Sequence, residues 1–374
     1  MSSRLPSRTL MFAALAWQCL AGLFASRGAN RPIRRVLIAH HLLLGDTLML
    51  TALIAKLRER YPVAEIVMTC PKPFATLYAQ RPYDLTVVPY DPKEVATFIA
   101  LWHMRGFNLA IIPADNRYSW LARALGSQHV VAFGDDVPKY KNWLVDDARK
   151  YPSQAMAYGD IAALLVDGPP PRRFKSDDWP APPHTPYAAP PQPYCVLHLG
   201  ASTPLKFWPQ ENWRALALWL RQQGCEVVWS AGARETDLVR AVDPQGEFPS
   251  LAGQLDIAQL WQLLANSLLL VCPDTGVAHL GRITNTPTVA LFGPGSSIIC
   301  GAGDFWRDSP YRAVSIDIAC RDQARYFRRP VLWLRRCGRT YPAQCDRPRC
   351  MEGVTLEAVQ ENIQALLPAL RATA

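Results

Sequence analysis

From residue 33 onward, short β-branched runs alternate with longer amphipathic stretches, the pattern of a parallel sheet covered by helices. The alternation predicts strands at 36–39, 65–69, 84–88, 109–113 and 129–133, with helices at 47–60, 93–104, 118–125 and 154–166. Ten prolines then fall between residues 169 and 193, a density that neither a helix nor a central strand sustains. Beyond them the pattern restarts. Strands are predicted at 194–199, 226–230, 268–271 and 288–291, and helices at 210–223, 234–241, 257–265 and from Val277. Leu356, Val359, Ile363, Leu367 and Leu370 share one helical face, so the chain is expected to end in an amphipathic helix.

The organisation this implies is an apolar and basic segment at 1–31, an α/β domain at 32–168, a proline-rich linker at 169–193 and a second α/β domain at 194–374. A length of 374 residues fits two such domains, and 49% apolar with 19% charged residues provides for a real core and excludes global disorder. The run 9–26 carries no charge; as a helix it would span about 27 Å, short of a roughly 30 Å hydrocarbon core. It reads as a short membrane anchor, a helix lying in the interface, or, least favoured, a secretory signal. Four arginines after it (Arg27, Arg31, Arg34, Arg35) against two before (Arg4, Arg8) favour a cytoplasmic position for the rest.

Charge adds one further feature. The net charge is +9, and residues 321–349 alone hold nine arginines against two acids, a local +7. Such a stretch suits an anionic partner or a solvated basic loop. No nucleic-acid recognition motif accompanies it, and no nucleic acid is expected as a partner. The ten cysteines show no tight pair of a zinc template, so neither a metal nor a disulfide framework is assigned.

In open α/β sheets ligands bind outside the carboxyl ends of strands, which directs attention to three loops. The first runs from His40 and His41 through Gly45 to Asp46. Asp46 is either the cap of the following helix or a general base at the cleft mouth, and His41 is a secondary acid/base candidate. The second, Gly200 to Pro209, sets Ser202, Thr203 and Lys206 ahead of a helix, a plausible phosphate cradle. In the third, Asp274, Thr275 and Gly276 end a strand and open a helix that carries His279; helix-terminal amides there suit a pyrophosphate, although the same letters also shape a simple turn.

Together, Gly45-Asp46, Lys206-Phe207-Trp208-Pro209, Asp274-Thr275-Gly276-x-x-His279-Leu280 and the Thr286 to Pro294 strand resemble, in order and spacing, the signatures of glycosyltransferase family 9, the heptosyltransferases of the lipopolysaccharide inner core. The resemblance covers roughly residues 33–370. It implies a GT-B fold, two Rossmann-like domains facing a cleft, with acceptor on the first and nucleotide sugar on the second. It also implies an inverting transfer of heptose or a related sugar, without metal or cofactor, from a donor such as ADP-heptose to a lipopolysaccharide-core or other lipid-linked acceptor.

By the resemblance Asp46 would be the base, Gly45 and His41 part of the acceptor loop, and Ser202, Thr203 and Lys206 the phosphate holders. Asp274 would orient the sugar, Thr275 and Gly276 would offer amides, and His279 would support that loop. The expected place is the cytoplasmic face of the inner membrane, peripheral or anchored through the N-terminal helix. The 321–349 stretch would there meet the anionic membrane surface or a phosphorylated acceptor. The chain departs from the family pattern at His40, His41 and Ala52, and at Arg282, which stands where small residues are usual. Two other readings are a nucleotide-sugar epimerase of the same architecture and a non-catalytic glycan- or nucleotide-binding scaffold.

Overall fold

The computed structural model describes residues 4–24 and 32–367. Arg27 and Arg31, used above to orient the N-terminal segment, lie outside them, as does Leu370. The first domain is built on six parallel strands: β1 (Arg35–Ile38), β2 (Glu65–Cys70), β3 (Leu85–Pro89), β4 (Leu109–Ile112), β5 (His129–Phe133) and β6 (Asp147–Arg149). Their order is β3-β2-β1-β4-β5-β6. The second sheet holds β7 (Tyr194–His198), β8 (Glu226–Ser230), β9 (Leu269–Pro273), β10 (Thr288–Phe292) and β11 (Tyr311–Ser315) in the order β11-β10-β9-β7-β8. Beside β8, a parallel bridge from Trp229 to Ser250 stands where a further strand would lie. With that bridge counted, both sheets follow the doubly wound order 3-2-1-4-5-6, whose switch point lies beside the first strand. The two sheets thus place the loops after β1, β7 and β9 at ligand-binding positions.

The helices are α1 (Leu5–Phe24), α2 (Leu44–Met49), α3 (Thr51–Arg60), α4 (Val95–His103), α5 (Tyr118–Ala124) and α6 (Tyr158–Ala163) in the N-terminal half. The C-terminal half holds α7 (Gln210–Gln222), α8 (Thr236–Val242), α9 (Ile257–Ala265), α10 (Gly276–Ile283), α11 (Arg349–Glu352) and α12 (Leu356–Leu366). Alternate residues of β1 face opposite ways: Val36 and Ile38 join the apolar cluster under α2, α3 and α6, while Leu37 and Ala39 join the one under α4 and α5. The first of these clusters continues through Trp261, Leu263 and Leu264 of α9 and Val277 and Leu280 of α10, so the domains share one core.

α1 packs on the first domain through Ala14, Met11 and Leu15 and turns Leu5, Leu10, Phe12, Trp17 and Leu20 outward. Among the described residues no helix is long and apolar enough to cross a membrane. The proline-rich linker is fastened to both domains: Phe174 packs on Trp306 with ring centres 4.2 Å apart, and Trp179 donates to the Leu77 carbonyl at 3.0 Å.

The 321–349 stretch departs most from expectation. It is not one uniformly solvated basic face, because several of its arginines are bound by carbonyl oxygens and local carboxylates, while Arg325, Arg328, Arg335 and Arg349 stay exposed. Arg321 donates to the carbonyls of Phe292, Gly293 and Ile316, Arg339 pairs with Asp322, and Arg347 pairs with Glu352. A short antiparallel hairpin, β12 (Arg325–Tyr326) and β13 (Arg329–Pro330), leaves the second domain and seats on the first. Arg329, 1% exposed, donates there to the carbonyls of Ala114 (2.6 Å), Gly134 (2.8 Å) and Phe133 (3.0 Å) and to Asn116 Oδ1 (2.7 Å). Trp333 adds a bond to the Pro152 carbonyl at 3.0 Å. The turn residues Phe327 and Arg328 both have positive φ (41° and 65°), a conformation costing about 1–3 kcal/mol per residue that the docked flanks must hold.

Candidate active site

The helix predicted over 47–60 starts earlier, at Leu44, and breaks at Leu50 into α2 and α3. Leu43, not Asp46, occupies the cap position of α2, so the capping role for Asp46 does not hold. Its carboxylate instead accepts a hydrogen bond from the Tyr326 hydroxyl of the hairpin at 2.9 Å. Burial pushes the Asp46 pKa up to about 6; the Tyr326 bond opposes this, Asp274 adds to it, and the Lys206 and Arg336 charges oppose it. The carboxylate is therefore a stronger base than an exposed aspartate and is mostly ionised at neutral pH.

Across the cleft, the loop after β7 makes a single tight turn, Pro204–Lys206, capped where Thr203 Oγ1 accepts from the Leu205 amide at 3.4 Å. Trp208 anchors it by donating to the Val354 carbonyl at 2.7 Å. Lys206 Nζ then reaches the neighbouring loop, meeting the Asp274 carbonyl at 2.6 Å and Asp274 Oδ2 at 2.9 Å. Thr275 caps α10 by accepting from the Val277 amide at 3.0 Å, which leaves first-turn amides at the helix mouth.

These groups line one cleft of about 1110 Å³. Gly45, Asp46, Ser202, Thr203, Lys206, Asp274, Thr275, Gly276 and His279 all face it, joined by Glu235, Tyr326 and Arg336. His41 is exposed and is not among the lining residues. Its neighbour His40 is buried, held at about pKa 3 by desolvation, and its Nδ1 accepts from the Leu42 amide at 3.2 Å, a structural role. Two glycines set the approach of the domains. A Cβ on Gly45 would lie 2.8 Å from His279 Cδ2, and one on Gly276 would lie 2.9 Å from the Leu44 side chain.

Tyr326 and Arg336 were not singled out in the sequence, where they read only as members of a basic stretch. Because the Tyr326 bond holds the Asp46 pKa down, Tyr326→Phe is expected to move the acid limb of the pH–kcat/KM profile up by roughly half to one unit. Activity at pH well above the limb should be far less affected. An unshifted limb in the folded variant would show that this bond does not set the base.

Two parallel α/β domains thus set a raised-pKa carboxylate on one side of a cleft and a lysine beside a helix N-terminus on the other. The model for glycosyltransferase family 9 (heptosyltransferase) matches residues 106–313, and the chain belongs to this family. Lipopolysaccharide heptosyltransferase 1 of Pseudomonas aeruginosa is 32% identical over 120 residues, 31% of this chain and 33% of that protein, so the chain aligns with about a third of that relative. Lipopolysaccharide heptosyltransferase 2 of Salmonella typhimurium is 25% identical over 286 residues, covering 67% of this chain and 80% of the relative. Among solved structures, Escherichia coli ADP-heptose LPS heptosyltransferase II superimposes with a TM-score of 0.65 at 20% identity, covering 91% of this chain and all of that one.

Proposed function

We propose that this chain is an inverting glycosyltransferase that moves a heptose from ADP-heptose to a lipopolysaccharide-core or related lipid-linked acceptor, with no metal ion taking part. The observation that carries the reading is the opposition of Asp46 to the Lys206, Asp274, Thr275 and Gly276 cluster across one cleft. Asp46 takes the proton of the acceptor hydroxyl, and that oxygen attacks the anomeric carbon from the face opposite the diphosphate. The bond to the diphosphate oxygen breaks, and the nucleoside diphosphate leaves with the electron pair. Lys206 and the α10 amides meet the charge that develops on the leaving oxygen, the task a metal would otherwise perform. Ser202 and Thr203 flank the phosphates. Glu235, just beyond β8, takes the position at which dinucleotide folds meet a ribose hydroxyl.

The reading puts the acceptor at an anionic membrane surface, on the cytoplasmic face of the inner membrane. The outward side of α1 supports this: Phe12 contacts Trp120, Trp120 contacts Trp143 and Trp143 contacts Tyr140, an aromatic patch whose Phe12, Trp143 and Tyr140 are exposed, and Arg4 and Arg8 are exposed as well. Co-flotation with anionic but not with neutral vesicles is the expected result, and no vesicle binding would remove that part of the reading.

Metal independence is tested by titrating the chain with ADP and with UDP in EDTA. Tight binding of ADP and weak binding of UDP is expected, whereas ADP binding that requires an added divalent cation would contradict the mechanism. A changed sugar released from donor in the absence of any acceptor would favour the epimerase reading instead.

A further inference from the structure

Arg282 lies on α10 one turn after His279, and the fold buries it almost completely at 1% exposure. No carboxylate is among its hydrogen-bond partners. Nη1 donates to the Gly301 carbonyl at 2.5 Å, Nη2 donates to the Cys300 carbonyl at 2.9 Å, and the guanidinium lies 4.6 Å from the centre of the Tyr311 ring. Its remaining polar contact is from Nη2 to Nδ1 of His279, one turn earlier on α10. A guanidinium has donors only and keeps its proton, so Nδ1 of His279 has to be the lone-pair nitrogen. The ring proton is then on Nε2.

That nitrogen faces the meeting point of the domains: a Cβ on Gly45 would lie 3.2 Å from it, and His279 lines the cleft beside Gly276 and Asp274. We infer that Arg282 is a positioning residue that fixes His279 as a neutral Nε2–H donor, aimed at an oxygen of the donor diphosphate. The diphosphate part of this inference rests on the function proposed above; the tautomer does not. The charged groups around the imidazole act in the same direction. Arg282 from its own helix and Lys206 from the loop after β7 both oppose a second proton, as does burial. Asp46, on α2 beside Gly45, is engaged by Tyr326, and Asp274 is engaged by Lys206. A histidine held this way offers the same donor at any pH at which Asp46 is ionised.

The inference is tested on the full chain with ¹⁵N-labelled histidine, the His279 signals being assigned by their loss in His279→Gln. Between pH 5.5 and 8.5 the wild type should show an unprotonated Nδ1 and a protonated Nε2, with no titration. Arg282→Met should release the ring to exchange tautomers or titrate in this range, and should weaken ADP binding by about tenfold, the loss expected for one hydrogen bond to a charged group. Should Arg282→Met not fold, Arg282→Lys serves, since an ammonium cannot hold both carbonyls and the imidazole in the same geometry.

A protonated Nδ1 or an ordinary titration of His279 in the wild type would overturn the inference. So would a folded Arg282 variant with the tautomer and the ADP affinity both unchanged. A fixed tautomer in a wild-type chain that binds no ADP would uphold the role of Arg282 and overturn the donor assignment.

Discussion

Asp46→Asn is expected to lower turnover by about a thousandfold, in the range usual for loss of a general base, while donor binding stays within a fewfold of wild type. Asparagine keeps the shape of the side chain and an oxygen that can accept the Tyr326 bond, so the hairpin should stay docked. It removes only the ability to take a proton. The effect on stability should run the other way. Burial raises the folded-state pKa of Asp46 above that of an unfolded chain, so the carboxylate costs stability that grows as pH rises towards and through about 6. At neutral pH the variant should therefore melt at or above the wild-type temperature. Steady-state kinetics, ADP titration and a thermal melt on one preparation read all three. Near-normal turnover would remove Asp46 from the role of base.

The second large effect is expected at Arg329, the residue that ties the hairpin to the first domain. Arg329→Met gives up hydrogen bonds to three carbonyls and to Asn116 in a site with little access to water. At about 1 kcal/mol net for each bond, the cost is on the order of 3–4 kcal/mol. Asp136 stays paired with Lys141 at 3.0 Å, so the substitution does not strand a buried carboxylate. The energy is lost at the domain junction, and the consequence reaches the site: once the hairpin lifts, Tyr326 leaves Asp46. The variant should show a lower denaturant midpoint, trypsin cleavage after Arg325 or Arg328 in the freed hairpin, and the same upward shift of the acid limb as Tyr326→Phe. Stability lost with no change in the pH profile would mean that hairpin docking and the state of the base are independent.

The contrast between these two residues shows what the sequence could reveal. Asp46, Lys206 and Asp274 stand at the ends of buried strands, where periodicity places ligand loops, and the nine strands predicted from the pattern fall within one or two residues of the observed ones. Elements fixed by long-range contact were not legible. The helix expected over 154–166 shrinks to α6, whose first residue is held by the second domain, the Tyr158 amide bonding the Ile299 carbonyl at 2.8 Å. β6 and β11 are edge strands with weak apolar pattern, and the Ser250 bridge is too short to show any. Tyr326 is 280 residues from Asp46, and no local spacing links them. The arginines of 321–349 were visible as charge, yet charge alone does not tell a solvated guanidinium from one buried against carbonyl oxygens. Arg282 was visible as a departure from the family pattern, but its consequence for His279 needed the helix geometry.

Inverting, metal-free transfer is decided by the product of a reaction run in EDTA with ADP-heptose and a truncated lipopolysaccharide-core acceptor, analysed by NMR at the new anomeric centre. The expected product is a heptosylated acceptor whose anomeric configuration is opposite to that of the donor, formed at a rate that the chelator leaves unchanged. Retained configuration, or transfer that appears only when a divalent cation is restored, would contradict it.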